Sequence, residues 1–169
     1  VSHAASGEAI ALPPLRLPRC LLDPRADLPA ADPDGLVPVR LQQRAGRLTA
    51  ILPCDTAEAA GPLPLALTPL VEPHAHLDKA YSGLLHPNRE GTLAGALRAN
   101  LREAAQRDRA TVLARGERAL ERAWRQGLRA IRSHIDSGGP AAGLSWEALD
   151  DLRRRWKGRV ELELVALVP

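Results

Sequence analysis

From residue 70 onward the chain alternates between short apolar runs and longer stretches with helical spacing. Leu70-Val71-Glu72-Pro73-His74-Ala75-His76 reads as a short buried strand, apolar at its start and polar at its end. Thr92 is placed to cap a helix reaching about residue 106, with Leu93, Leu97, Leu101 and Ala104 as its apolar stripe. Thr111 is placed to cap a second helix ending at Gln126, where Gly127 supplies the stop. Its stripe is Val112, Gly116, Ala119, Leu120, Ala123 and Trp124. Residues 128–136 form the next strand. Ser145 then caps a third helix that Gly158 ends, and residues 159–168 form the last strand. Strand, two helices, strand, helix, strand is an α/β pattern of parallel strands joined by helical crossovers.

The first part of the chain has a different rhythm. Residues 1–11 read as disordered, and residues 12–69 are rich in Pro and Gly. Three β-type runs stand out there, at 15–22, 36–42 and 47–52. Ala45-Gly46 gives a hairpin turn between the last two, and Asp32-Pro33-Asp34-Gly35 gives another turn.

Composition narrows the function classes. The chain has 169 residues, 45% of them hydrophobic but only 2% aromatic, so its core is built from Leu, Ala and Val. A net charge of +3 raises the question of nucleic acid. The arginines, however, are interspersed with Glu and Asp along helices, as in Glu117-Arg118 and Glu121-Arg122, and little aromatic surface is left for base stacking. Neither nucleic acid nor a membrane is expected as a partner. No run approaches the ~20 apolar residues of a membrane span, and the N-terminus shows no signal-peptide pattern. A cytoplasmic location follows as the default, with Cys20 and Cys54 as free thiols. Without a C-x-x-C pair, the zinc nucleobase deaminases built on H-x-E and P-C-x-x-C are excluded.

The candidate chemistry sits at the end of the first strand of the second rhythm. Residues i and i+2 of a strand point the same way, so His74 and His76 can reach one metal ion from one backbone edge. In parallel α/β folds, ligands gather at that C-terminal end. Val71-Glu72-Pro73-His74-Ala75-His76-Leu77-Asp78-Lys79 resembles the first-strand motif of the amidohydrolase superfamily, and most of all its cytosine deaminase branch. Arg132-Ser133-His134-Ile135-Asp136 is similar to that branch's second barrel strand, which carries an Arg-x-His-x-Asp string. Gly91-Thr92, Gln126-Gly127 and the closing strand match in order.

The resemblance implies the first part of a (β/α)₈ TIM-type barrel over residues 70–169, preceded by a small β-sandwich segment over residues 1–69. It implies a metal-dependent hydrolase of C–N bonds that releases ammonia from a small nitrogen heterocycle. His74 and His76 would ligate a divalent metal ion, zinc or iron. His134 and Asp136 would line the pocket; the alternative is a mutual hydrogen bond that ties down the strand end. Asp78 and Lys79 either stand at the pocket rim or form a solvated loop pair. Arg132 could pair with a carboxylate such as Glu72. His3 and His86 carry no assigned role, although the His86 loop could form part of a lid. A complete barrel needs about 250 residues. The chain therefore reads as the N-terminal piece of a longer enzyme, inactive alone and associated through open surface, with a homo-oligomer possible for the complete protein. Two alternatives stay open: a cyclic-amide hydrolase of the same superfamily, or a non-catalytic remnant that binds a partner chain.

Overall fold

The computed structural model of the chain describes residues 8–168. His3 and the rest of the segment read as disordered through residue 7 lie outside the described residues. The chain divides into two compact units between Thr68 and Pro69.

The first unit is a four-stranded antiparallel sheet. Its strands are β1 (Ile10–Ala11), β2 (Leu15–Pro18), β3 (Leu36–Arg44) and β4 (Arg47–Pro53). A short helix, α1 (Thr56–Ala59), follows. β3 is the hub and pairs with all three other strands. Its alternate residues Val37, Val39 and Leu41 are buried and form a small core with Leu22. Ala45 and Gly46 turn the β3–β4 hairpin with φ of 49° and 75°, the left-handed pair that a two-residue turn requires. Asp32 fixes the second expected turn: its Oδ1 accepts from the backbone N–H groups of Asp34 and Leu36. Two expectations are corrected here. Ile10 and Ala11 are ordered by pairing with β3, and the run at 15–22 leaves the sheet after Pro18 in a single 3₁₀ turn.

The second unit carries the α/β pattern. Its elements are β5 (Leu70–Ala75), α2 (Leu93–Ala104), α3 (Arg109–Arg125), β6 (Leu128–Asp136), α4 (Ala142–Trp156) and β7 (Glu161–Leu167). The three strands are parallel and lie in the order β5-β6-β7. Helices α3 and α4 cover one face. There Ile131 and Ile135 of β6 meet Val112, Leu120, Leu149 and Leu152. Full burial of each such aliphatic side chain stabilises by roughly 1.5–3 kcal/mol. Gly116 lets the two helices approach: a Cβ there would lie 2.5 Å from Leu152 Cδ1.

The structure corrects several local expectations. β5 is not a buried strand. It pairs on one side only, with β6, and Leu70 and Val71 are 51% and 64% exposed. The apolar stripe of α2 faces outward, with Leu93, Leu97 and Leu101 exposed; the helix instead buries Gly95, Ala99 and Glu103. Thr92 does cap α2, accepting from Gly95 N–H at 3.0 Å. For α3 the cap is Asp108, which accepts from Thr111 N–H at 2.7 Å, so Thr111 is the donor rather than the cap. α4 begins three residues before Ser145, whose buried hydroxyl donates back to the Ala141 carbonyl at 2.9 Å. Among the described residues, no helix is long and apolar enough to cross a membrane.

Candidate active site

The outer strand pairing of the second unit brings the two motifs together. β5 ends at Ala75, and a 3₁₀ turn, Leu77–Lys79, follows. The turn is tied to β6 because Leu77 N–H donates to the buried Ser133 hydroxyl at 3.0 Å. Side chains alternate along β6, so Ile131, Ser133 and Ile135 face the helices while Arg132, His134 and Asp136 face the other way.

Three imidazoles cluster on that open side. The His74 ring stacks on His134 with centroids 4.2 Å apart, and lies 5.3 Å from His76. His76 Nδ1 is 2.9 Å from the His134 carbonyl oxygen. A carbonyl only accepts, so His76 carries a proton on Nδ1, and in the neutral ring Nε2 keeps a free lone pair. Metal-binding imidazoles are characteristically held this way, by a hydrogen bond on the other ring nitrogen. His134 Nδ1 is buried without a hydrogen-bond partner. Burial, followed by the neighbouring His74 and His76, holds the His134 pKa below the ordinary imidazole value. Among the described residues, no set of three or more His, Cys, Asp or Glu side chains is arranged to hold a metal ion.

Next to the histidines lies a network of six charged side chains, which Asp136 joins from the same face of β6 as His134. Arg107, on the connection between α2 and α3, is fully buried. It donates to Asp78 Oδ2 at 3.0 Å, to both oxygens of Glu103, and to Ser145 Oγ at 3.2 Å. Arg115 of α3 donates to Glu103 Oε1 at 2.6 Å and to the Asp78 carbonyl. Lys79 Nζ reaches both oxygens of Asp136, at 2.7 and 2.8 Å. Asn100 Nδ2 donates to Asp136 Oδ2 at 2.9 Å, and Arg107 stands 3.8 Å from that oxygen. Burial raises the carboxyl pKa of both Glu103 and Asp136, but their hydrogen bonds and cationic neighbours outweigh it and hold both below the usual range. For Asp78 burial prevails over Arg107, and its pKa is raised.

These contacts settle where the motif residues sit. Asp78 and Lys79 are not a solvated pair: Asp78 is buried and Lys79 is ion-paired. His134 and Asp136 do not bond to each other; one stacks on His74 and the other holds Lys79. Arg132 pairs with Glu163 of the adjacent β7 at 2.8 Å, not with Glu72, because parallel register sets Arg132 opposite Glu163. Glu72 instead accepts from His74 N–H. A cleft of about 480 Å³ opens beside this group, bounded by His76, Lys79, His86, Asn100, Leu93 and Leu97. Glu103, Arg107, Arg115 and Asn100 were not singled out by the sequence reading. The one local signal was Glu103-to-Arg107 spacing of i, i+4.

No protein-family model matches the chain. A pterin deaminase of Rhizobium rhizogenes is 32% identical over 147 residues, covering 80% of this chain and 32% of the relative. Among solved structures, the 5-methylcytosine deaminase of Klebsiella pneumoniae, liganded with 5-fluorocytosine, matches with a TM-score of 0.64 at 22% identity. The match covers 90% of this chain and 36% of that one. A triazine hydrolase from Arthobacter aurescens matches with a TM-score of 0.55 at 14% identity, over 94% of this chain and 35% of that one. The two structural matches bear on the fold alone. The chain spans about a third of the length of each of these proteins.

Proposed function

Since the chain belongs to the amidohydrolase superfamily, in its cytosine deaminase-like branch, we propose that it forms the start of a (β/α)₈ barrel in a metal-dependent hydrolase that releases ammonia from a small nitrogen heterocycle. The observation that carries this reading is His76. Its Nδ1 proton is committed to the His134 carbonyl, and its Nε2 is left free beside His74 at the mouth of a cleft. The two imidazoles fit two positions of a metal site. A catalytic zinc site normally has at least three protein ligands, so the remaining ones come from elements beyond those described.

A divalent ion held by His74 and His76, zinc or iron, would supply the Lewis acidity that ionises water near neutral pH. The described residues do the rest of the preparation. The His134 carbonyl sets the tautomer and ring angle of His76. His134 lies against His74 and walls that side of the imidazole pair. Ser133 pins the turn that carries the motif onward to Asp78 and Lys79. In the net reaction water adds at a ring carbon bearing an amino group, ammonia leaves, and a carbonyl replaces the amine.

The test uses a protein that carries this chain together with the remaining strands. Ammonia release from an amino-substituted pyrimidine or pterin should vanish on treatment with a chelator and return with zinc or iron. Turnover that survives complete metal removal would overturn the proposal. Residues 1–169 alone should not turn over, because no set of three metal-ligating side chains is completed among the described residues at the histidine pair.

A further inference from the structure

We propose that Lys79 is a specificity-determining residue, which donates its one uncommitted N–H to a carbonyl oxygen of a neutral heterocycle seated in the cleft. The inference rests on reading that cleft as the substrate site.

An ammonium group has three donors and no acceptor. Two of those on Lys79 are spent on the two oxygens of Asp136, at 2.7 and 2.8 Å. One remains, on a side chain that is 20% exposed and lines the cleft shared with His76. Lysine is ordinarily a flexible point charge, and ordering it costs rotamer entropy. Here that ordering is complete before any ligand arrives. Asp136 holds the amine with both carboxylate oxygens, Asn100 holds Asp136 at 2.9 Å, and the fully buried Arg107 stands 3.8 Å from the same carboxylate.

The charge count selects the ligand. Lys79, Arg107 and Arg115 balance Asp78, Glu103 and Asp136, each joined to a partner in the same network. In the metal-free chain the cleft floor therefore carries no surplus positive charge to compensate a buried carboxylate, whose desolvation would be costly. A polarised but neutral acceptor, such as the ring carbonyl of an oxopyrimidine, takes the free N–H without that cost. Asn100 lines the same cleft with one amide proton committed to Asp136 and a second polar edge left over. The cleft volume of about 480 Å³ accommodates a single or fused ring.

The test is a binding measurement on the 169-residue chain, free of metal. Cytosine is compared with 4-aminopyrimidine, which is cytosine without its carbonyl oxygen, and with pyrazinecarboxylate as the anionic arm. A hydrogen bond from a charged donor corresponds to about 10- to 100-fold in affinity. Cytosine should bind the wild type more tightly than 4-aminopyrimidine by a factor in that range. In Lys79→Met the preference should collapse, and in Lys79→Arg it should be partly restored. Should Lys79→Met fail to fold, ¹H–¹⁵N spectra of the wild type decide: cytosine must shift the Lys79 ammonium and Asn100 amide signals. Equal binding of cytosine and 4-aminopyrimidine, or a preference unchanged in Lys79→Met, overturns the Lys79 assignment and leaves the cleft reading intact. Tighter binding of the carboxylate overturns the neutral-acceptor claim. Binding of none of the three removes the cleft reading and the Lys79 assignment together.

Discussion

The histidine cluster and the ion network are neighbours at one end of the same sheet, and they differ in how their charges are matched. Around Arg107 every charge meets an opposite one, with Asp78, Glu103, Ser145 and Asp136 surrounding one guanidinium, although Asp78 Oδ1 and Arg115 Nε are buried without hydrogen-bond partners. Around His74, His76 and His134 polar atoms are left over, including the buried Nδ1 of His134 and the free Nε2 of His76. A buried network with its charges matched specifies geometry, and breaking it is costly. A cluster with open nitrogens contributes little to folding and is available to a ligand. The difference teaches which residues of the motif hold the site and which face the chemistry. Asp78 belongs to the first group, His74 and His76 to the second, and Lys79 joins the two.

The sharpest break in that contrast is Arg107→Ala. It strands Asp78 and Glu103 without their main cation in a buried setting, and should cost about 3–5 kcal/mol, read from the urea midpoint. His74→Ala, at an exposed position, should stay within about 0.5 kcal/mol. Equal losses in the two variants would erase the distinction. A smaller effect comes from acid. Glu103 and Asp136 have lowered pKa values in the folded state, so their stabilisation is complete above the unfolded carboxylate pKa near 4 and is lost as pH falls through the lower folded values. Urea midpoints taken from about pH 5 down to about pH 2 should drop less steeply in Glu103→Gln than in the wild type.

Where the sequence could be read, local rules governed. The order of strands and helices in the second unit follows from periodicity, and the Ala45-Gly46 turn and the Thr92 cap follow from turn and cap chemistry. What could not be read depended on residues distant along the chain. The stripe of α2 looks like a core face, yet Leu93, Leu97 and Leu101 point outward, because the helix is oriented by Glu103 reaching Arg107 and Arg115. Lys79 and Asp136 are 57 residues apart, and only the parallel pairing of β5 with β6 makes them neighbours. Strand register likewise chose Glu163 over Glu72 for Arg132.

That last pair gives the smallest predicted effect and sharpens the contrast from its weak end. Arg132 and Glu163 are 50% and 62% exposed, so water screens their attraction. Arg132→Ala should change stability by no more than about 1 kcal/mol, against the far larger cost at Arg107. A loss comparable to that of Arg107→Ala would show that exposure does not separate the two kinds of ion pair.

The most direct test of the division of labour is zinc affinity of a protein that carries this chain together with the remaining strands, measured by competition with a chromophoric chelator alongside the urea midpoint. The wild type should bind zinc, and the combined His74→Ala and His76→Ala variant should lose that binding while its metal-free stability, read from the urea midpoint, falls by no more than about 1.5 kcal/mol, the worth of the one hydrogen bond removed. Zinc binding of equal strength in the two proteins would contradict the assignment of the histidine pair as the metal-facing part of the motif.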